Sequence, residues 1–374
     1  EGLRRESGRL MAALEYDFGD FTLTSNSGFF STKDEYGYDS DYISAGRSGT
    51  NLRLEVRDRE EWSTELRLAS SGGQRVRWLG GVFYYERDLD AEQQRLSALP
   101  TLDLGTTNVS NRAVFGSVAV DITDTFTTSL ELRYAEDELV LHSADGNTYE
   151  ATNSNLTPRL TLDWQVTPDS LIYGIVAKGN KPGDVNEDPR LPPELLEVDE
   201  EESWNYEVGV KNTLFEGRMT MNLAAFFIDW SKQQLTDTFI APDGGSISYS
   251  VNVGKTEVRG LEYTMNIAFT DDFSAGFSYG LNDARFVQFT DAEAGALFGD
   301  PSVAGRHTPN TSKNEFTVFT RMDHWINSDV RAFFRTDFSY REGKYAQAYN
   351  LASTGDQKLL NMKVGAEWSR LALT

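Results

Sequence analysis

The stretch EESWNYEVGVKNTLFEGRMTMNLAAFFIDW, residues 201–230, contains two long segments of alternating polar and apolar residues joined by a short turn at residues 215–218. A tryptophan, Trp204 or Trp230, stands near each outer end. A strand in a soluble sheet has about 5 or 6 residues, whereas a strand that crosses a bilayer at a tilt needs about 9 to 11. The length of this hairpin therefore favours a membrane β-barrel over an ordinary soluble sheet.

The composition of the 374-residue chain excludes several classes of function. With 58 acidic against 35 basic residues the net charge is −23, so the bulk surface repels a phosphate backbone and no nucleic-acid partner is predicted. Because there is no cysteine, a disulfide framework and a thiolate metal site are both excluded. The three histidines, His142, His307 and His324, are far apart in sequence, and we predict neither a metal site nor a cofactor.

No apolar run approaches the roughly 18 residues of a membrane-spanning helix, and the start EGLRRESGRL lacks the hydrophobic core of a signal peptide. The strands of a membrane β-barrel alternate in character and never form such a run. The sequence therefore excludes helical insertion but leaves the barrel open.

Short turn signals rich in Asp, Gly and Ser recur along the chain and are typical of hairpin tips. They lie at residues 17–20, 70–74, 121–124, 167–170, 215–218, 270–272, 323–329 and 367–370. Longer polar connections separate them, at residues 32–61, 87–111, 138–153, 182–202, 231–250, 288–312 and 341–357. This regular alternation predicts an antiparallel β-barrel with short periplasmic turns and long extracellular loops. A β-propeller has a similar period but needs four short strands in each blade, whereas each period here accommodates two strands of about 10 residues.

The predicted strands carry apolar residues on one face and polar residues on the other. In one strand the apolar parity is formed by Leu156, Leu160, Leu162 and Trp164. The same alternation recurs in residues 126–134, 204–211 and 330–340, with Phe333 as an exception. A soluble β-sandwich also alternates in this way, so alternation alone does not separate the two architectures.

The positions of the tryptophans along the strands distinguish the membrane β-barrel from the soluble β-sandwich. Three are predicted at strand ends beside long loops and four beside or within short turns, namely Trp62, Trp204 and Trp230, and then Trp78, Trp164, Trp325 and Trp368. None is predicted in the middle of a strand. A sandwich buries tryptophans centrally, whereas a bilayer collects them at its two interfaces, so we predict an all-β transmembrane barrel.

Three successive stretches resemble barrel segments of TonB-dependent outer-membrane receptors: LIYGIVAKGNKPGDVN (171–186), NYEVGVKNTLFEGRMTMNLAAFFIDW (205–230) and NVGKTEVRGLEYTM (252–265). The segments STELRLASS and RWLGGVFYYERD, within residues 63–88, resemble an earlier hairpin of the same family. The order and spacing of these segments carry the resemblance, which covers most of the chain. Asp184 stands where the family pattern often has a glycine.

The resemblance implies a barrel of about 22 strands, filled by an N-terminal plug domain, in the outer membrane of a Gram-negative bacterium. It also implies active import of a scarce nutrient, such as a ferric siderophore, cobalamin or a glycan, energised through the TonB system. Counting hairpins gives about 15 strands, with a further strand beginning at Arg370. We therefore expect residues 1–374 to form one barrel segment surrounded by membrane lipid, with the plug, the TonB-contacting segment and the terminal strands outside this chain.

The sequence singles out no ligand-contacting residue, but three groups of polar residues stand out. The first group consists of inward-facing charges. Either they line a solute path or contact a plug, or they form a ladder of opposite charges within the wall. We favour the ladder. They are Glu65, Arg67, Glu131, Arg133, Arg159, Asp163, Glu207, Lys211, Arg331 and Arg335. Residues 182–203 hold nine carboxylates and one arginine without the spacing of a calcium loop, which predicts a solvated acidic loop. Arg306 and His307, in GRHTPN, are interpreted as part of a turn entering the wall rather than as ligand groups.

The segment GKTEVRG at residues 254–260 lacks the spacing of a phosphate-binding loop and the helix that would follow it. No Ser/His/Asp set, paired-carboxylate motif or glycine-rich helix start is recognisable, so we predict no catalytic residue and no enzyme. The favoured function is that of the wall and loops of a TonB-dependent importer. Two alternatives stay open: a passive porin of about 16 strands, and a soluble all-β protein that binds or hydrolyses carbohydrate.

Overall fold

The structure, a computed structural model, describes residues 2–39, 52–95, 102–144, 146–242, 244–368 and 371–373. Most of them lie in strands. In chain order these are β1 (Gly2–Asp17), β2 (Phe21–Asp39), β3 (Leu52–Ser70), β4 (Val76–Arg95), β5 (Leu102–Thr123), β6 (Phe126–His142), β7 (Thr148–Thr167), β8 (Ser170–Lys181), β9 (Asp184–Val185), β10 (Glu197–Val198), β11 (Glu201–Leu214), β12 (Met219–Ser231), β13 (Gln234–Ile240), β14 (Ser246–Asn252), β15 (Lys255–Ala268), β16 (Phe273–Gln288), β17 (Asn314–Trp325), β18 (Val330–Arg341), β19 (Gln357–Trp368) and β20 (Leu371–Leu373). A 3-10 helix, Pro193–Leu195, and a short helix α1, Ala292–Phe298, lie between strands.

Sixteen of these strands form one sheet in which each strand pairs with its neighbours along the chain. Every pairing is antiparallel, so the sheet is an up-and-down meander. Strands β9 and β10, and strands β13 and β14, form two separate small pairs inside the connections. The all-β antiparallel architecture predicted from the sequence is therefore confirmed, and the total of about 22 strands in a closed barrel stays a prediction.

Tight turns join the strands at one end of the sheet, which we call the turn side, and longer connections join them at the other end, the loop side. The described turns occupy residues 18–20, 71–75, 124–125, 168–169, 215–218, 269–272 and 326–329, as predicted. In one of them Phe215 and Glu216 both have a φ of 56° and Gly217 has a φ of 87°, the left-handed backbone that a tight hairpin needs. Of the eighth predicted turn, residues 369 and 370 lie outside the described residues.

The strands in the first half of the sheet are much longer than the expected 10 or so residues, which corrects three of the predicted connections. Strands β2 to β7 contain between 17 and 22 residues, so most of the predicted connections 32–61, 87–111 and 138–153 are strand. The extensions of β2, β3 and β4 are charged on both faces, and the apolar alternation therefore stops there although the hydrogen-bonded ladder continues. Water solvates both faces of a sheet that extends beyond the bilayer, so neither face needs to be apolar.

The apolar face of the sheet is open. Leu156, Leu160 and Leu162 are exposed by 49%, 41% and 41%, although each lies inside a strand. Their direct cross-strand partners include Tyr134 and Leu130, so the apolar surface continues from strand to strand. No second layer covers this face in the described part of the chain, and the buried hydrophobic clusters lie instead among the loop-side connections. A β-sandwich would bury these side chains, whereas lipid solvates them.

A row of aromatic residues crosses the apolar face from the middle of β15 to the loop-side end of β18. Tyr263, Tyr279, Phe316 and Tyr340 stand directly opposite one another on successive strands, and the rings of Phe316 and Tyr340 are 5.3 Å apart. The Tyr340 hydroxyl donates to Asp356 at 3.2 Å, at the loop-side end. Rings with an apolar body and a polar tip are typical of a membrane interface.

Five of the seven tryptophans stand on the apolar face and agree with this interface. Trp230, opposite Ser203 and Thr256, and Trp325, opposite Arg331, stand on the polar face instead. Trp62 was expected at a strand end, but it lies in the interior of β3, which continues beyond it toward the loop side. The segment from Trp62 to Ser70, at the turn-side end of β3, matches the 9 or so residues that span a bilayer. Trp62 is 47% exposed on the apolar face, so it marks the interface even though the strand continues.

On the opposite, polar face, four glycines lie directly across from aromatic residues of the neighbouring strand, and the ring covers the glycine. The pairs are Gly81 with Phe115, Gly209 with Tyr173, Gly260 with Phe226, and Gly276 with Phe319. A Cβ added to Gly209 would lie 2.5 Å from Tyr173 Cζ, which no ordinary packing allows. The absence of a side chain therefore lets each ring lie flat along the wall.

The face assignment predicts unequal effects of two neighbouring substitutions. Leu160→Arg should lower the free energy of unfolding by about 2 to 4 kcal/mol because it places a charge in the lipid midplane, whereas Arg159→Gln on the polar face should have little effect. The measurement is a urea titration of the intact protein refolded into lipid vesicles. Equal losses would contradict the assignment.

The glycine and aromatic pairs predict a steric effect. Gly209→Val should lower the free energy of unfolding by about 1 to 3 kcal/mol, because the new side chain displaces the Tyr173 ring. Gly174→Val is the matched control: its Cβ would meet nothing closer than Glu207 O at 3.9 Å, and it points toward lipid. The same urea titration checks both variants, and a tolerated Gly209→Val would show that the ring has another place to go.

Candidate functional site

Four loop-side connections fold against one another, and we call residues 182–200, 232–254, 289–313 and 342–356 the loop assembly. Its first hydrophobic cluster joins the last three of these connections at the loop-side end of β16. Val253, Phe286 and Val303 are fully buried there, and Ala348 and Tyr349 pack beside them. The connections are therefore held in fixed positions relative to one another.

A second cluster joins residues 182–200 to the hairpin of β13 and β14. Leu191, Ala241 and Ile247 are buried together. The buried Asn186 side chain fastens them: its amide donates to Leu195 O at 2.7 Å and to Ser250 O at 2.8 Å, and its carbonyl accepts from Ser250 N at 2.8 Å. One side chain thereby replaces three backbone partners that an irregular loop lacks.

Arg306 and His307 serve to connect two loops. The Arg306 guanidinium donates to Tyr349 O at 2.7 Å. Asn350 accepts from His307 N at 2.7 Å and donates to His307 O at 2.8 Å, and the His307 ring stacks on Tyr345 with the centroids 5.9 Å apart. These contacts support the structural interpretation of the GRHTPN segment over the ligand-binding one.

The three histidines occupy separate places. His307 lies in the loop assembly, where burial and then Arg285 lower the pKa of its imidazole, opposed by Asp283 at 3.5 Å. His142 Nδ1 lies 2.9 Å from Thr148 Oγ1 on the loop side, and His324 Nδ1 lies 2.7 Å from Asp272 Oδ2 on the turn side. Across the described ranges, no group of three His, Cys, Asp or Glu side chains is arranged to hold a metal ion.

The acidic segment 182–203 is folded rather than a simple solvated loop, since it contains β9, the 3-10 helix and β10. Several of its carboxylates pair with neighbouring cations. Arg190 hydrogen-bonds Asp188 and holds the pKa of that carboxyl below its usual range. Asp199 accepts from Lys232 at 2.9 Å and raises the pKa of that ammonium. These pairs attach the segment to itself and to the start of the next connection.

The inward charges predicted from the sequence mostly contact the wall itself. Arg67 lies 3.1 Å from Glu65, and Arg331 lies 3.6 Å from Asp323. Two others stack on rings of the wall: Arg133 lies 5.3 Å from the centroid of Phe83, and Lys211 lies 5.1 Å from that of Tyr173. Glu207 accepts from the Tyr173 hydroxyl at 2.7 Å.

Glu131 stands directly opposite Arg159, and Asp163 stands opposite Tyr173 and Thr127. Arg335 lies 3.9 Å from Asp323. The arrangement is that of a ladder within the wall, and a contact with a plug stays a prediction.

Adjoining cavities follow the polar face from the loop assembly downward. A cavity of about 420 Å³ lies between β13 and residues 289–310 and 346–349. This cavity shares Asn310 with a second cavity of about 380 Å³, which is also lined by Asn282 and Lys344. The second cavity in turn adjoins a third cavity of about 360 Å³ on the inner wall. These two cavities share Glu262, Gly280, Glu315 and Arg341. Together they provide a continuous row of polar linings of both charges.

Sequence reasoning missed these cavities and the asparagines that fix the loops. Asn186 and Ser250 are 64 residues apart, and Asn350 and His307 are 43 apart. An asparagine in a polar loop carries no sign of such a partner. The segment GKTEVRG, in contrast, runs into strand β15 as its lack of a phosphate-loop pattern predicts.

One structural fact bears on how the chain meets a membrane. Among the residues described, no helix has both the length and the apolar character required to cross one.

Solved structures that share this fold include the receptors FyuA and PiuA. The ferric yersiniabactin uptake receptor FyuA from Yersinia pestis superposes with a TM-score of 0.77 at 17% sequence identity, over 99% of this chain and 54% of that chain. The siderophore receptor PiuA from Acinetobacter baumannii gives a TM-score of 0.73 at 17% identity, over 99% and 59%. At such identities the likeness shows the fold alone.

Sequence comparison adds the family. A curated relative, the probable TonB-dependent siderophore receptor PiuA of Acinetobacter baumannii, is 25% identical over 240 residues, which are 60% of this chain and 30% of that protein. The chain thus spans under a third of the length of this relative. Residues 2–373 match the family described as TonB dependent receptor-like, beta-barrel. The chain therefore belongs to this family of β-barrels, whose members lie in the outer membrane of Gram-negative bacteria.

Proposed function

We propose that this chain forms the membrane wall and extracellular loops of a receptor that actively imports a ferric siderophore. The observation that carries the proposal is the row of cavities that begins within the loop assembly and continues along the inner wall. Linings that mix Glu262, Glu315, Arg341 and Lys344 suit successive weak contacts with a moving solute better than one tight site.

The names of similar proteins support the nutrient class. The curated relative is a probable siderophore receptor, and FyuA is a receptor for uptake of ferric yersiniabactin. The family implies a plug domain inside the barrel and energy delivered through TonB, and we assign both contacts to sequence outside residues 1–374. Since these relatives are transport receptors, we propose no enzymatic activity.

The two alternatives have less support. A passive porin needs an open mouth, whereas the four connections of the loop assembly pack against one another in two buried clusters at the loop side. A soluble carbohydrate-binding protein would bury the leucines of β7, which are exposed by 41% or more.

The proposal predicts energy-dependent iron uptake. Deleting the gene should abolish uptake of radiolabelled iron from at least one ferric siderophore during iron limitation, and removing TonB should have the same effect. A collapsed proton gradient should leave binding intact but stop import. Free sugar flux through the purified receptor in a liposome-swelling assay would contradict the proposal and favour the porin.

The import proposal predicts that the loop assembly opens during uptake, and cross-linking tests this. Because residues 1–374 contain no cysteine, Thr236→Cys with Gln347→Cys introduces a thiol pair on both sides of the 420 Å³ cavity. A cleavable bis-maleimide across this pair should stop uptake, and cleavage should restore it. The control pair, Glu216→Cys with Asp271→Cys, lies on two turn-side tips and should cross-link without effect. Uptake through cross-linked loops would show that the solute enters elsewhere.

A further inference from the structure

The hairpin of β13 and β14 forms a two-stranded ribbon within the loop assembly, and its two outer edges differ. Among the described residues the two strands pair with each other and with no third strand. The edge of a strand presents N–H and C=O groups with which another chain can pair, so folded proteins usually cover it. An edge that stays uncovered is therefore a possible docking site for a polypeptide.

The edge of β14 is covered. Ser250 N donates to the side-chain carbonyl of Asn186, and Ser250 O accepts from the Asn186 amide, both at 2.8 Å. At the end of the strand, Asp199 N donates to Asn252 Oδ1, also at 2.8 Å. Side chains and backbone of residues 182–200 and of β14 thus satisfy each other, as a third strand would.

The edge of β13 has no such cover. Thr236 stands directly opposite Ser250. Opposite residues of an antiparallel pair either exchange both hydrogen bonds or direct both groups outward, and Ser250 bonds outward to Asn186. The N–H and C=O of Thr236 therefore also point outward, away from β14. Neither group has a partner in the part of the chain that the structure describes, and Thr236 is exposed.

The cavity of about 420 Å³ borders this uncovered edge. Five consecutive residues of β13, numbers 234–238, line the cavity. Successive side chains of a strand point to opposite faces, so a run of five shows that the edge of the strand, rather than one face, borders the cavity. Phe289, Pro309 and Ala348 line the cavity as well. Its volume lies within the range of about 300 to 1,000 Å³ that is usual for ligand-binding cavities.

Strand β13 is held in place at both ends. Leu235 packs against the first hydrophobic cluster of the loop assembly, and Phe239 packs against the second. Gln234 N donates to a Glu201 carboxylate oxygen at 2.6 Å, which marks the point where the uncovered edge begins. Because the edge is already ordered, a strand that pairs with it avoids the cost of ordering the receptor.

The charge of the cavity favours a cationic partner. The charged residues that line it are Asp237 and Asp291, and no Lys, Arg or His of the described ranges joins them there. Asp237 accepts from Thr238 N, and Asp291 accepts from Ala294 N, both at 2.8 Å. Electrostatic complementarity of this kind selects partners of opposite charge.

We infer that the uncovered edge of β13 is a docking site for a cationic polypeptide segment in an extended conformation, which adds to the ribbon as a third strand. Its backbone pairs with Thr236 and with Thr238, which are about 6.8 Å apart along the strand, the repeat of an extended peptide. Its basic side chains lie near Asp237 and Asp291, and its apolar side chains meet the wall at Phe289. This inference goes beyond the import function and does not depend on it.

The test measures the fluorescence anisotropy of a labelled peptide mixed with the intact receptor in nanodiscs of a zwitterionic lipid. The probe is a short peptide of alternating lysine and valine with both termini blocked. It should bind in a saturable way, and its affinity should fall as salt is raised. Two control peptides should not bind: the same peptide methylated on every backbone nitrogen, which has no N–H donor, and a peptide of alternating glutamate and valine.

Thr236→Pro should weaken binding of the lysine and valine peptide by about tenfold or more, because it removes the outward N–H and its ring obstructs the approaching strand. Pairing with β14 is kept, since Thr236 N does not point toward β14. The matched control is Ser248→Pro: Ser248 stands directly opposite Thr238, and by the same alternation its N–H points to the other edge of the ribbon. This control should bind the peptide as the unmodified receptor does.

A second variant tests the charge. Asp237→Asn combined with Asp291→Asn removes both negative charges but keeps an oxygen to accept from Thr238 N and Ala294 N. It should weaken binding of the same peptide by about tenfold and remove most of its salt dependence. Heat-modifiable migration of each variant on gels establishes that it has folded.

Any of three results overturns the inference: no saturable binding of the lysine and valine peptide, equal binding of either control peptide, or equal affinity of the two proline variants. None of them bears on the import proposal, which is tested separately by energy-dependent uptake of iron.

Discussion

Every backbone amide in the membrane-spanning part of this chain needs a partner on a neighbouring strand, because hydrocarbon offers none. The observed sheet meets this constraint by pairing each strand with its neighbours in chain order. Tight turns suffice on one side because antiparallel neighbours need no crossover. The longer connections are thereby confined to the other side, where water and side chains such as Asn186 can satisfy irregular backbone. Functional surface accumulates on that side as a consequence of the pairing.

The same constraint gives the two faces different chemistry. Leucines on the outer face need only lipid, and their precise packing matters little, so alternation is enough to specify it. The inner face must instead keep a passage open while its strands stay tightly paired. Rings lying over Gly209 and Gly260 serve this purpose, since they stabilise the sheet along its surface and do not project into the lumen.

These differences between the parts of the structure explain which features the sequence predicts and which it does not. The period of two in residues 156–164 and the turn chemistry at Gly217 are local signals, and both the face assignment and the turns were predicted. The extensions of β3 and β4 were missed because a solvated strand with charges on both faces looks like a loop. The loop assembly was missed for another reason. Its contacts join segments far apart in the chain, and neither Asn350 nor Phe286 differs in its local context from an ordinary loop or strand residue.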